Sequence, residues 1–218
     1  IWRITTRDGI EATKPIGYFD REPDHGMKAI ESTAALSSPG DLPRLRSALE
    51  QVDPFLAHAA VTALARPALN PLLPEFATDP DSLVRLGALL AMRRAGLRDV
   101  DTLKRFLRDP SETVRQAALM WIGEEGVVEL AKDLRAAIEF PDVSSTLFES
   151  YLAACETLDP EFINARASRR GAAGRIPRRL DPSLIESIVR DDAMPDRVRA
   201  LAIARLEKQH GSEVSSLL

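Results

Sequence analysis

Few side chains in this sequence stand where they could do chemistry. The three histidines, His25, His58 and His210, are far apart and keep no metal-ligand spacing. His58 follows Leu56 by two positions in a helical stretch, off the apolar stripe, which predicts a surface position. Asp20, Glu22, Asp24 and His25 in "YFDREPDHG" have the oxygen-rich composition a hard cation wants, but without calcium-loop spacing they read as a solvated linker. Cys155 in "YLAACETL" falls at an apolar-face position, where a thiol behaves as a small hydrophobe, and no local basic neighbour would make it a nucleophile. Trp121 lies in the core-like run "AALMWI" and is expected to pack rather than to stack on a base.

One segment exceeds this background. "DPEFINARASRRGAAGRIPRRL", over 159–180, holds Arg166, Arg169, Arg170, Arg175, Arg178 and Arg179 against Asp159 and Glu161. Gly171, Gly174 and Pro177 make it irregular. A loop of this length in a repeat array is either functional or solvated. If functional, its six arginines suit an acidic protein partner.

The elements that must carry these residues are helical. The chain has 218 residues, 44% hydrophobic and 28% charged, with only 5% aromatics, so Ala and Leu dominate and short, closely packed helices are favoured over a sandwich or barrel. A net charge of −4 counts against nucleic acid, whose phosphates call for a basic face. With a single cysteine, no disulfide within the chain, no Cys-x-x-Cys-His haem attachment and no cysteine-based zinc site can form. The longest apolar run, "LGALLAM" at 86–92, falls far below the roughly 18 residues a membrane span needs, so no membrane insertion is expected. The first residue is Ile rather than Met, as expected of an excised piece of a longer chain.

A repeat runs through the middle. "DPDSLVRLGALLAM" from Asp79, "DPSETVRQAALMWI" from Asp109 and "MPDRVRALAIARL" from Met194 share one template. Counting from Val84, Val114 and Val198, the next residue is Arg85, Arg115 or Arg199, and the fourth along is Ala88, Ala118 or Ala202. The fifth is Leu89, Leu119 or Ile203, and the eighth is Met92, Ile122 or Leu206. Offsets of four, five and eight lie on one helix face. "LAHAAVTAL" from Leu56 keeps the register without the arginine. Spacings of 28 and 30 residues, from 56 to 84 and from 84 to 114, signal stacked helical hairpins. Each template helix is followed by a second amphipathic segment, "RDVDTLKRFLRDP" and "EEGVVELAKDLRAAIEF", taken as its hairpin partner, with Gly96 and Gly123 expected in the turns. Asp79 and Asp109 are placed as N-caps, with Pro80 and Pro110 in the first turn. Helices of three or four turns are too short to stand alone in water, so stacking must hold them.

The Asp-Pro cap and the Val-Arg pair resemble HEAT repeats, especially the short kind also found in bilin-lyase-like proteins. The resemblance implies an all-α, right-handed α-solenoid of about six helical hairpins over 27–218, interrupted by the Arg-rich insertion at 159–180. It also implies an Asp-Arg ladder from repeat to repeat through Asp79, Arg85, Asp109 and Arg115, with Arg199 at the equivalent place in the last template. Its functional classes are a non-catalytic interaction or spacer module, a nucleic-acid-binding protein of the DNA glycosylase type and a bilin-lyase-like enzyme. The glycosylase class would want basic residues on many repeats, whereas Glu124, Glu125, Glu129 and Asp133 intrude here.

The opening "IWRITTRDGIEATKP" differs from the rest. Ile1 to Arg7 alternates and is rich in β-branched residues before Asp8-Gly9, which predicts a strand, and one strand cannot pair with itself. "IWRIT", a proline-containing linker and HEAT-like repeats together resemble large haem-binding proteins of planctomycete-type bacteria, in which a sorbosone-dehydrogenase-like β-propeller, helical repeats and a cytochrome c domain follow one another. That resemblance implies that residues 1–26 are the closing strand and linker of a propeller. It implies that this chain holds no cofactor of its own, that haem c sits elsewhere in the parent, that the partners are neighbouring domains, and that the location is periplasmic or envelope-associated.

Overall fold

A computed structural model of the chain describes residues 25–51, 53–159 and 182–210. The opening strand, the 20–24 carboxylates and the Arg-rich insertion, Arg166 to Arg179, lie outside the described residues, within which every regular element is helical. The α-helices are α1 (His25–Ala35), α2 (Leu42–Leu49), α3 (Pro54–Leu64), α4 (Leu73–Phe76), α5 (Ser82–Arg94), α6 (Val100–Leu107), α7 (Glu112–Glu125), α8 (Ser145–Leu158), α9 (Pro182–Val189) and α10 (Asp196–His210). The first of them starts at His25, inside the stretch expected to be linker.

Two layers result. The helices α1, α3, α5, α7, α8 and α10 pack side by side in chain order, and the shorter elements between them form the second layer. The predicted face is what they bury: Val84, Ala88, Leu89 and Met92 on α5, and Val114, Ala118, Leu119 and Ile122 on α7, all lie in one continuous core. Alanine recurs at the crossing points because a small side chain lets the helices close up while Leu, Val and Ile fill the layer.

Hairpin partnership departs from the expected order. α6 packs on α7, which follows it, rather than on α5 before it, and likewise α4 packs on α5, α2 on α3 and α9 on α10. The tight turn is therefore the Asp-Pro turn, and the glycine turn is the longer link between hairpins. Gly96, at φ 71°, ends α5, and the Leu97 N–H reaches back to the Met92 carbonyl. This six-to-one bond requires a left-handed residue, where glycine pays no Cβ penalty.

Gly123 does not form the corresponding turn after α7. That role belongs to Gly126, at φ 65°, whose successor Val127 bonds back to the Ile122 carbonyl. Gly123 lies inside α7, and a Cβ there would come within 2.9 Å of Thr157 Oγ1 and 3.2 Å of the Ala154 Cα on α8. It sets how closely α7 and α8 approach.

The segment after α7 is not an α-helix. It forms two 3-10 turns, Val128–Leu130 and Leu134–Ile138, joined by i to i−3 bonds such as Asp133 N–H to Leu130 O. Leu130, Leu134, Ala137 and Ile138 still bury toward the core. The Ala137 carbonyl is engaged from outside the segment, because the Arg115 Nε donates to it at 3.0 Å.

Candidate functional site

Asp79 and Asp109 sit two residues ahead of the N-caps, which are Asp81 for α5 and Ser111 for α7. Each folds its own turn: Asp79 Oδ1 accepts the Asp81 N–H at 2.8 Å, and Asp109 Oδ1 accepts the Ser111 N–H at 2.8 Å. Because the carboxylate lies in the turn rather than over the first helical N–H groups, its remaining lone pairs face the neighbouring hairpin. Arg85 Nε and Nη2 donate to the two oxygens of Asp109 at 2.7 and 2.8 Å, a bidentate fork between hairpins with little solvent access. The Arg85 Nη1 meanwhile donates to the Asp79 and Pro80 carbonyls at 2.8 and 2.9 Å. One guanidinium thus clamps its own turn and grips the next.

Arg115 repeats the first half of this pattern, with Nη1 donating to the Asp109 and Pro110 carbonyls at 2.7 and 3.1 Å. Its forward half changes. Phe140-Pro141 stands where the earlier turns have Asp-Pro, and the guanidinium lies 3.8 Å from the centre of the Phe140 ring. Arg115 is fully buried, and its Nη2 is without a hydrogen-bond partner. Burial pulls its acidity constant below the usual arginine value, opposed by the charges of Asp142, Glu112 and Asp109. A guanidinium starts so far above neutral pH that it stays charged. Glu112 adds a link to the next turn by accepting the Ser144 N–H at 3.0 Å.

Two further placements concern the ends of this series. Arg46 on α2 forks onto Asp79, Nε to Oδ2 at 2.8 Å and Nη2 to Oδ1 at 3.0 Å. Sequence reasoning missed it because its helix is not a Val-Arg helix; the available signal was the apolar-Arg pair Leu45-Arg46. Arg199 pairs within its own turn, with Asp192 at 3.2 Å and Asp196 at 2.6 Å. The position equivalent to Asp109 is Ala193 there, so the last template's turn offers no carboxylate at that position to an arginine of the hairpin before it.

The Arg46–Asp79 pair carries a pH dependence. The hydrogen bonds from Arg46 hold the Asp79 carboxyl below the usual carboxylate range, against the opposing effect of burial. A group whose folded acidity constant is depressed contributes its stability above the unfolded value, and that contribution is lost as pH falls through the folded value. Unfolding in urea followed from pH 7 to pH 2 is therefore expected to show stability falling below about pH 4. In Asp79→Asn the slope should be shallower; an unchanged slope would remove Asp79 from the account.

The remaining reactive candidates are quiet. Burial pushes the Cys155 thiol up to about 11, the Tyr151 hydroxyl bond being a smaller opposing effect, so it stays protonated near neutral pH. Trp121 is buried in the core. Among the described residues, no cluster of three His, Cys, Asp or Glu side chains would hold a metal ion, and no helix is long and apolar enough to cross a membrane.

Among the described residues, an apolar groove of about 620 Å³ lies between α3 and α5. Pro54, Ala57 and Val61 form one wall, and Leu83, Leu86 and Leu90 the other, each series at helical spacing. Leu49 of α2 closes the floor, and Gly87 makes room for it, since a Cβ at 87 would lie 2.5 Å from Leu49 Cδ2. Leu83 and Leu90 stay 41% and 38% exposed, while His58 stands at the margin.

Residues 53–123 match a family model described as HEAT repeats. No curated protein and no solved structure matches the chain. The matched span takes in α3 to α5, the Asp79 and Asp109 turns, Arg85, Arg115 and most of α7. With its helices layered in order and its turns locked by Arg-Asp forks, the described part of the chain is an all-helical solenoid, of which residues 53–123 match HEAT repeats.

Proposed function

We propose that this chain is a non-catalytic scaffold and interaction module, joining a β-propeller to a cytochrome c domain within a larger, exported haem-binding protein. The observation that carries the module reading is how the matched repeats use their groups. The buried polar side chains at Asp109 and Arg115 are committed to holding hairpin to hairpin, while an apolar groove is left open between two helices. A catalytic site needs convergent polar groups free to act; a solenoid that binds needs a rigid stack and an uncovered face. The parentage is supported by the resemblance of "IWRIT", its linker and the repeats taken together. On this reading the haem is held outside these 218 residues, the first partners are the neighbouring domains, and the six arginines from Arg166 to Arg179 serve an acidic protein surface.

Reading the residues that flank this chain in its full-length protein tests the parentage. Upstream, sheet-forming segments repeating as propeller blades are expected, and downstream a Cys-x-x-Cys-His motif. Flanks with neither would overturn it. Cross-linking of the full-length protein tests the module reading separately, with links expected from other domains onto the solenoid.

A further inference from the structure

The groove between α3 and α5 has a shape, a polarity and a charge, and together these select an occupant. Its walls present aliphatic side chains at helical spacing along two neighbouring helices, so the bound element has to offer an apolar ridge of its own. Hydrogen-bonding groups along the lining are scarce, with Gln51, His58 and Arg94 its polar side chains. An extended peptide laid there would leave its backbone N–H and C=O groups without partners, whereas a helix satisfies its own. From Leu83 to Arg94 the α5 wall runs about three helical turns.

Charge sets the direction. Arg94 stands at the C-terminal end of the groove, exposed and without an ion-pair partner among the described residues. Other arginines of the described helices and turns are engaged: Arg93 with Glu124 and Glu125, Arg85 with Asp109, Arg46 with Asp79 and Glu50, and Arg66 with the last carbonyls of α1. At the opposite end stand the carboxylates of Asp53 and Asp81, which cap α3 and α5. We infer that the groove takes an amphipathic partner helix of about three turns, whose leucine-type ridge seats between α3 and α5 and whose carboxylate end meets Arg94. The inference rests on the module reading and names the chemistry of the partner at that surface.

The test uses the whole 218-residue chain and a synthetic, fluorescein-labelled helical peptide of roughly 16 residues, with leucines on one face and glutamates in its last turn. Two control peptides replace the glutamates by lysines or scramble the leucine spacing. Fluorescence anisotropy is expected to show the glutamate peptide binding about fivefold tighter than the lysine peptide, with Arg94→Glu reversing that order. Leu90→Asp, at a partly exposed position that leaves the core intact, is expected to weaken both by at least about tenfold. Raising the salt should erase the preference between the two peptides while leaving the leucine dependence. A scrambled peptide that binds equally well, or an order that Arg94→Glu leaves unchanged, would overturn the inference. The module reading fails independently, if cross-linking of the full-length protein puts no other domain on the solenoid.

Discussion

Asp109→Ala is expected to lower the unfolding free energy by about 3–5 kcal/mol, the usual cost of removing one partner from a buried ion pair. The loss has a specific origin. Arg85 has side-chain exposure of only 11% and would keep its charge while losing both acceptors of its fork, and the Ser111 N–H would lose the oxygen that shapes the turn before α7. Urea titration of the purified chain, followed by circular dichroism, measures it. Asp109→Asn should cost less, because the amide oxygen can still accept the Ser111 N–H while one arm of the fork is lost. A double-mutant cycle with Arg85→Ala isolates the pair, and a coupling below about 0.5 kcal/mol would show that the two residues act independently. Solenoid stability is a sum over neighbouring interfaces, so hydrogen exchange should rise first in α6 and α7.

The second large effect belongs to Arg115. Arg115→Met keeps much of the apolar stem yet leaves the carbonyls of Asp109, Pro110 and Ala137 short of a donor, and about 3 kcal/mol is expected to be lost. The same titration reads this out, and a loss under about 1 kcal/mol would mean that water replaces the guanidinium at no cost. Phe140 supplies the companion test. Where the Asp79 and Asp109 turns offer a carboxylate, this turn offers a ring, and the Arg115 Nη2 is left without a partner. Phe140→Asp should therefore be more stable than Phe140→Ala, because it returns an acceptor to the buried cation.

Much of the solenoid was legible in the order of residues. The register counted from Val84 and Val114 names side chains that are buried, because helical periodicity is a property of one segment and needs no neighbour to be read. Asp-Pro and Gly96 marked real turns for the same reason: an Asx turn and a left-handed residue are decided within a few bonds. Gly123 shows where that reasoning stops. A glycine in sequence is equally a turn residue or a contact residue, and only the position of Ala154 and Thr157 on the next helix decides between them.

What only the tertiary structure decided are the relations between segments. Periodicity says which face of α6 is apolar, but that face fits the helix before or the helix after equally well, and the tight Asp-Pro turn selects α7. The 3-10 turns from Val128 to Ile138 keep the predicted apolar positions buried while changing the backbone, with Arg115, more than twenty residues away in sequence, donating to one of their carbonyls. Arg46 joins Asp79 across 33 residues with no shared template to announce it. The groove was invisible for the same reason: its walls are two ordinary amphipathic stripes, and neither reveals that, once α3 and α5 pack, Leu83 and Leu90 remain partly uncovered, with Arg94 at their end lacking an ion-pair partner among the described residues. A sequence determines the faces of its helices through local geometry; which faces are left open depends on distances between segments, and those exist only once the chain has folded.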